Sequence, residues 1–172
     1  MTAIKRKELE SVIINKFLTV LRNNLTDPLS PARANSNWVR SSVMVRAATA
    51  NPQGRKRYIL KQSQKPGYPQ VIVSDFNDNN SKVTINKSGG RQIKVEGELT
   101  IRILDIGDVT RIGSLAGQIS NTLSTRTSEF TSVGLGNLEW ESISLPGYAD
   151  DDNEYNEKQI SLTFIARLTE WT

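Results

Sequence analysis

The chain contains no histidine and no cysteine, which excludes most chemistry before any pattern is sought. Ser-His and Cys-His nucleophiles, His or Cys zinc sites, iron–sulfur clusters and disulfides each need a side chain that is missing. Catalysis would have to run on carboxylates, Lys, Tyr, Ser or a bound metal. Glu96 and Glu98 stand two apart in a segment of strand character, so they share one face and could offer paired carboxylates to a metal ion. They alternate with Lys94 and Arg102, as cross-strand charge partners do. A nuclease of the acid-acid-x-Lys kind would set a Lys two residues after a Glu, whereas position 98 is Glu and position 100 is Thr. Asp150, Asp152 and Glu154 alternate in a way that could collect calcium, but the glycine and distal Glu of an EF-hand loop are missing. Gly134-Leu135-Gly136 is followed by neither Lys-Ser/Thr nor a helix signal, so it reads as a turn and not a phosphate loop. No catalytic residue, metal ligand set or cofactor is expected.

Charge is more informative in its placement than in its total. From Pro28 to Ser74 there is no acidic residue, while Arg33, Arg40, Arg46, Arg55, Lys56, Arg57, Lys61 and Lys65 supply eight positive charges. The whole chain carries +4, so the rest of it carries −4. Its acid is densest at Asp150, Asp151, Asp152, Glu154 and Glu157. Such a chain can serve a polyanion, or a second copy of itself in which plus meets minus. Arg40, Arg46, Arg55, Lys56, Arg57 and Lys61 are the candidate basic interface, and Asp150, Asp151, Asp152 and Glu154 the complementary acidic one. Trp38 and Tyr58 are candidate anchors of the basic stretch on a partner. Trp140 and Trp171 read as core or interface anchors.

These groups must be positioned by one domain of 172 residues, 37% of them hydrophobic. Leu9, Val12, Ile13, Phe17, Val20 and Leu21 form a helical stripe, and Pro28 stops that helix between Asn23 and Asp27. Residues 28–69 lose any period and are punctuated by Pro31, Pro52, Gly54, Pro66 and Gly67, so they read as a long basic loop or arm that orders against a partner or, through extended candidates at 38–46 and 58–62, as an ordered pair of strands in the same sheet. Gln70 to Phe76 reads as a buried strand, Asn77 to Asn80 as a turn and Val83 to Ile85 as a brief strand. The strongest strand signal follows, with Ile93, Val95, Leu99, Ile101 and Ile103 on one face and Gln92, Lys94, Glu96, Glu98, Thr100 and Arg102 on the other. Gly97 interrupts the apolar row and marks a bulge or a close approach by another backbone. Asp108 can cap a second helix, Val109 to Ser124, whose stripe is Ile112, Leu115, Ala116, Ile119 and Leu123. Strands at Leu138–Leu145 and Gln159–Thr169 close the chain, joined by the acidic loop. The expected fold is α+β: a mixed, mostly antiparallel sheet of about five strands with two helices packed on one face, plus the basic arm. No apolar run reaches the roughly 20 residues of a membrane span, and the charged start is unlike a signal peptide, so a soluble protein made in the cytosol is expected.

The leading helix, the run Gly67-Tyr68-Pro69-Gln70-Val71-Ile72-Val73 and the strand from Gln92 to Asp105 with its Leu-Thr-Ile-Arg-Ile-Leu-Asp segment come in a characteristic order. The helix carrying Leu115-Ala116-Gly117-Gln118-Ile119 and the closing Leu162-Thr163-Phe164-Ile165-Ala166-Arg167-Leu168 complete it. Over roughly residues 65–170, and more weakly in the first helix, the chain resembles the tail terminator, or tail completion, proteins of tailed bacteriophages. The resemblance implies a non-enzymatic virion protein, usually a hexameric ring, assembled in the host cytoplasm. Such a ring caps the finished tail tube and presents a surface to the head connector. The implied partners are copies of itself, the tail tube protein, a head connector or neck protein and, where a tail has one, a sheath protein. DNA would only pass through the lumen, and no membrane is involved. The long basic segment departs from smaller members of the family. The alternatives are another connector or neck ring and, from a different class, a basic nucleic-acid-binding module, for which Trp38 and Tyr58 could stack bases.

Overall fold

Apolar residues recurring every three or four positions bury one side of the first helix, α1 (Leu9–Asn24), where Leu9, Ile13, Phe17, Val20 and Leu21 have essentially no exposed surface. It stops where Leu25 turns extended, three residues before Pro28. In a computed structural model, which describes residues 8–41, 67–74, 76–85, 91–106, 109–149 and 154–168, the chain continues through β1 (Val39–Ser41), β2 (Gln70–Val73), β3 (Asn77–Ile85) and β4 (Arg91–Ile106). It then forms α2 (Val109–Thr125), a short α3 (Thr127–Thr131), β5 (Leu135–Ala149) and β6 (Glu154–Leu168).

Five strands lie in the order β1-β2-β4-β6-β5, and β3 pairs with β4 as well. Because β6 covers one edge of β4 along nearly its whole length, β2 and β3 share the other edge, opposite Ile101–Leu104 and Arg91–Glu98 respectively. Among the described strands only β1 and β2 run parallel, so the sheet is mixed and mostly antiparallel, as expected.

The three helices of the described residues feed one apolar cluster. On β4 it takes Ile93, Val95, Leu99, Ile101 and Ile103, and on β6 Ile160, Leu162, Phe164, Ala166 and Leu168. The period-2 alternation sets these on the same side of the sheet. The stripe of α2, Ile112, Leu115, Ala116, Ile119 and Leu123, is buried over them. Phe17 of α1 lies 4.7 Å from Phe130 of α3, centroid to centroid, and 6.1 Å from Phe164 of β6, so one aromatic knot ties two helices to the sheet. At the turn from β4 into α2, the fully buried Asp105 accepts a hydrogen bond from Arg111 Nη2 at 3.1 Å. Arg111 Nε stands 2.8 Å from the other carboxylate oxygen, off the hydrogen-bond angle.

Several expectations change. Asn77 to Asn80, expected as a turn, opens β3 instead: the long partner strand imposes pairing on turn-prone residues, and a bulge between Asp78 and Asn80 absorbs the misfit. The bulge lies opposite Gly97, where the rings of Phe76 and Phe164 stack 5.8 Å apart and where a Cβ would come within 2.8 Å of Phe164. A bulge does lie at that glycine, on the partner strand, but what approaches it closely is a pair of aromatic side chains and not another backbone. β5 does not end at Pro146-Gly147 but passes through a register shift between Leu145 and Tyr148. Glu154 and Glu157, expected in the joining loop, belong to β6. Asp108 and Trp171 lie outside the described residues.

Candidate functional site

Alternation along β4 turns Lys94, Glu96, Glu98, Thr100 and Arg102 away from the helices. Register sets Arg167, Ile165, Thr163, Ser161 and Gln159 of β6 opposite them, and Glu139, Glu141 and Ile143 of β5 opposite Thr163, Ser161 and Gln159. No described helix covers this face. Glu98, Glu139, Glu141, Thr163 and Arg167 are exposed on it, and Ile143 keeps 43% of its surface.

Charge is sorted along the strands. Lys94 stands opposite Arg167, so one row of the register sets two cations across from each other. Like charges directly opposite one another weaken a sheet. Four residues along β4, about 13 Å at strand spacing, Glu98 and Glu139 flank Thr163, with Glu141 in the next row. Lys94, Arg167, Glu98, Glu139 and Glu141 make no ion pair with another described residue.

Between the rows the face dips into a cleft of about 260 Å³ lined by Glu96, Glu98, Asn137, Glu139, Thr163 and Ile165. It arises where β5 shifts register between Gly136 and Glu139, with Asn137 in the left-handed region at φ 49°. Glu96 and Glu98 therefore share a face, as their spacing predicts. Among the described residues, however, no three acidic side chains stand close enough together to hold a metal ion.

Toward the other end of the face Arg102 grips Glu157 with both arms, Nε to Oε1 at 2.6 Å and Nη2 to Oε2 at 2.9 Å, and Gln159 Nε2 donates to Oε1 at 3.1 Å. The bonds from Arg102, which outweigh the opposing burial, together with that from Gln159, hold the Glu157 carboxyl below the usual range. Ile72 and Leu104 are buried on this face, outside the helix-side core.

The residues singled out from sequence divide sharply. Arg40 lies in β1 opposite Ile72, half-buried; burial first, and the neighbouring Arg22 second, push its guanidinium below its ordinary pKa. Arg22 itself donates from Nε to the Val39 carbonyl at 2.9 Å. Arg46, Arg55, Lys56, Arg57, Lys61 and Tyr58 lie outside the described residues, as do Asp150, Asp151 and Asp152. Glu154 opens β6 opposite Ala149. Trp140 packs against the helix-side core, as one of its two readings had it.

Trp38 needs a correction. It is 4% exposed and part of the chain's own core, so its ring is not offered to a partner or to a base. The cause is a clamp around Asp27, which accepts from Arg33 Nε at 2.7 Å, Arg33 Nη2 at 2.8 Å and the backbone N–H groups of Arg33 and Leu29. Burial works to raise the Asp27 pKa, but these bonds hold it below the ordinary value. The same guanidinium donates to the Pro69 carbonyl at 2.9 Å and lies 4.8 Å over the Trp38 ring. The chain before residue 42 and the chain after residue 66 are thereby fastened together.

Glu139, Glu141 and Arg167 escaped sequence reasoning as a surface. Their alternation with apolar neighbours was legible, but which of them meet Lys94 and Glu98 depends on register across three strands. Among the described residues, no helix is long and apolar enough to cross a membrane. Compared with known proteins, the chain matches no protein-family model and no curated sequence.

Proposed function

We propose that this chain is a structural virion-assembly protein, a ring-forming tail terminator that caps the tail tube of a bacteriophage and joins it to the head connector. It acts by binding and not by catalysis. The observation that carries the reading is the way the segments of the resemblance come together. Val71-Ile72-Val73 forms β2, the Leu-Thr-Ile-Arg-Ile-Leu-Asp run lies in β4, Leu115 to Ile119 lies in α2, and Leu162 to Leu168 ends β6. In space these are three neighbouring strands with a helix across two of them, one continuous unit and not scattered likenesses. A face that no described helix covers, carrying both signs of charge, further supports assembly with like subunits.

The test is to mix the purified protein with preformed tail tubes, measure its mass by light scattering at low and high salt, and image the tube ends by negative stain. The expected result is a closed ring, usually of six subunits, free or at the tube end, and arrest of further tube growth. A ring that seats on connectors and ignores tubes would make it a neck component. A monomer that ignores both and binds DNA with a steep salt dependence would make it a nucleic-acid-binding module.

A further inference from the structure

Three partly buried arginines of this chain are met by carboxylates: Arg33 Nε by Asp27 at 2.7 Å, Arg102 Nε by Glu157 at 2.6 Å and Arg111 Nε by Asp105 at 2.8 Å. Arg40 of β1 differs. It is half-buried and makes no hydrogen bond or ion pair with another described residue. What stands beside it is a second cation. Arg22, in the last turn of α1, donates from Nε to the Val39 carbonyl at 2.9 Å, at the peptide that joins Val39 to Arg40. The two positive charges lie close enough to oppose each other. Across the register Arg40 faces Ile72, which is buried and offers no acceptor side chain. The sequence from Pro28 to Ser74, which contains β1, β2 and the residues between them, holds no acidic side chain.

A charge withdrawn from water without a partner costs free energy, and an arriving counter-ion offsets that cost. We infer that Arg40, with Arg22 beside it, binds a single oxyanion group, a carboxylate or a phosphate, at the end of the sheet formed by β1. The guanidinium fork donates two parallel hydrogen bonds to either group, as Arg102 does to Glu157. Across Ile72 that next cation, Arg102, is already taken by its own carboxylate, so the site takes one anionic group and not a chain of them. The site lies within one chain and does not rest on the ring reading.

The test follows urea midpoints of the free protein in chloride, in inorganic phosphate and in acetate, all at one ionic strength. In chloride Arg40→Gln should be at least as stable as the wild type, because it removes a half-buried charge held beside Arg22; an arginine that served only the fold would give the reverse. Phosphate, acetate or both should raise the wild-type midpoint and raise that of Arg40→Gln less, with a fitted dissociation constant at least about tenfold weaker in the variant. Which anion acts identifies the group that the site takes. Equal gains in wild type and Arg40→Gln, or a wild type that gains from neither anion, would overturn the site. So would Arg40→Met, which keeps the apolar stem, unfolding earlier than the wild type in chloride. Because no tail tube enters the measurement, either result leaves the tail-terminator reading to its own test.

Discussion

The two faces of the sheet come from the same strands, residue by residue in alternation, and yet they follow different rules. Toward the helices, β4 and β6 present Ile, Val, Leu, Ala and Phe with almost no exposed surface, and the contact is set by shape. Away from the helices the same strands present Lys, Glu, Thr, Ser and Arg, and the arrangement is set by charge. Arg102 and Glu157 are matched on that face, but Lys94 and Arg167 face each other as like charges. The covered face is solved within the chain itself. On the other face Arg102 and Glu157 are paired, whereas Lys94, Arg167, Glu98, Glu139 and Glu141 make no ion pair with another described residue.

Mutation can break this contrast in graded steps. Phe17→Ala removes the ring that touches both Phe130 and Phe164 and should cost about 3–5 kcal/mol, read as a large fall in denaturant midpoint. Gly97→Ala should cost about 1–3 kcal/mol, because its methyl group would be forced against Phe76 and Phe164. A midpoint equal to the wild type would show that the rings can swing aside. Glu157→Gln should cost about 1–2 kcal/mol at neutral pH by weakening the grip of Arg102. Folded Glu157 and Asp27 both have lowered pKa values, so the unfolded chain takes up protons first as the pH falls. The stability they add is full above about pH 5 and is lost as the pH falls through 4 and below. The gap between wild type and Glu157→Gln should therefore shrink in denaturation curves at pH 3. The smallest effect has the opposite sign. A Cβ at Gly113 or Gly117 of α2 would meet nothing within 4 Å, so Gly113→Ala and Gly117→Ala should each raise stability by about 0.5–1 kcal/mol through helix propensity, visible as a higher thermal midpoint.

Much of the helix-side half was legible in the residues themselves. The stripes of α1 and α2 and the alternation of β4 are local periodicities, and burial follows period directly. Gly97 was legible for the same reason, as a gap in an otherwise apolar row. The turn expected at Asn77 failed because propensity is a weak prior against a sixteen-residue partner strand offering hydrogen bonds. Trp38 failed because its fate depends on Arg33, Asp27 and Pro69, which meet only after folding.

By itself, then, the sequence determined the α+β class, which side of each element is apolar, and the exclusion of imidazole and thiol chemistry, since composition and local period need no knowledge of distant neighbours. Tertiary structure alone decided that Trp38 is spent inside the chain's own core and that Glu139 and Arg167 join Lys94 and Glu98 on one face that no described helix covers. Strand register couples residues some seventy positions apart, and nothing local in the chain encodes which charge will stand opposite which.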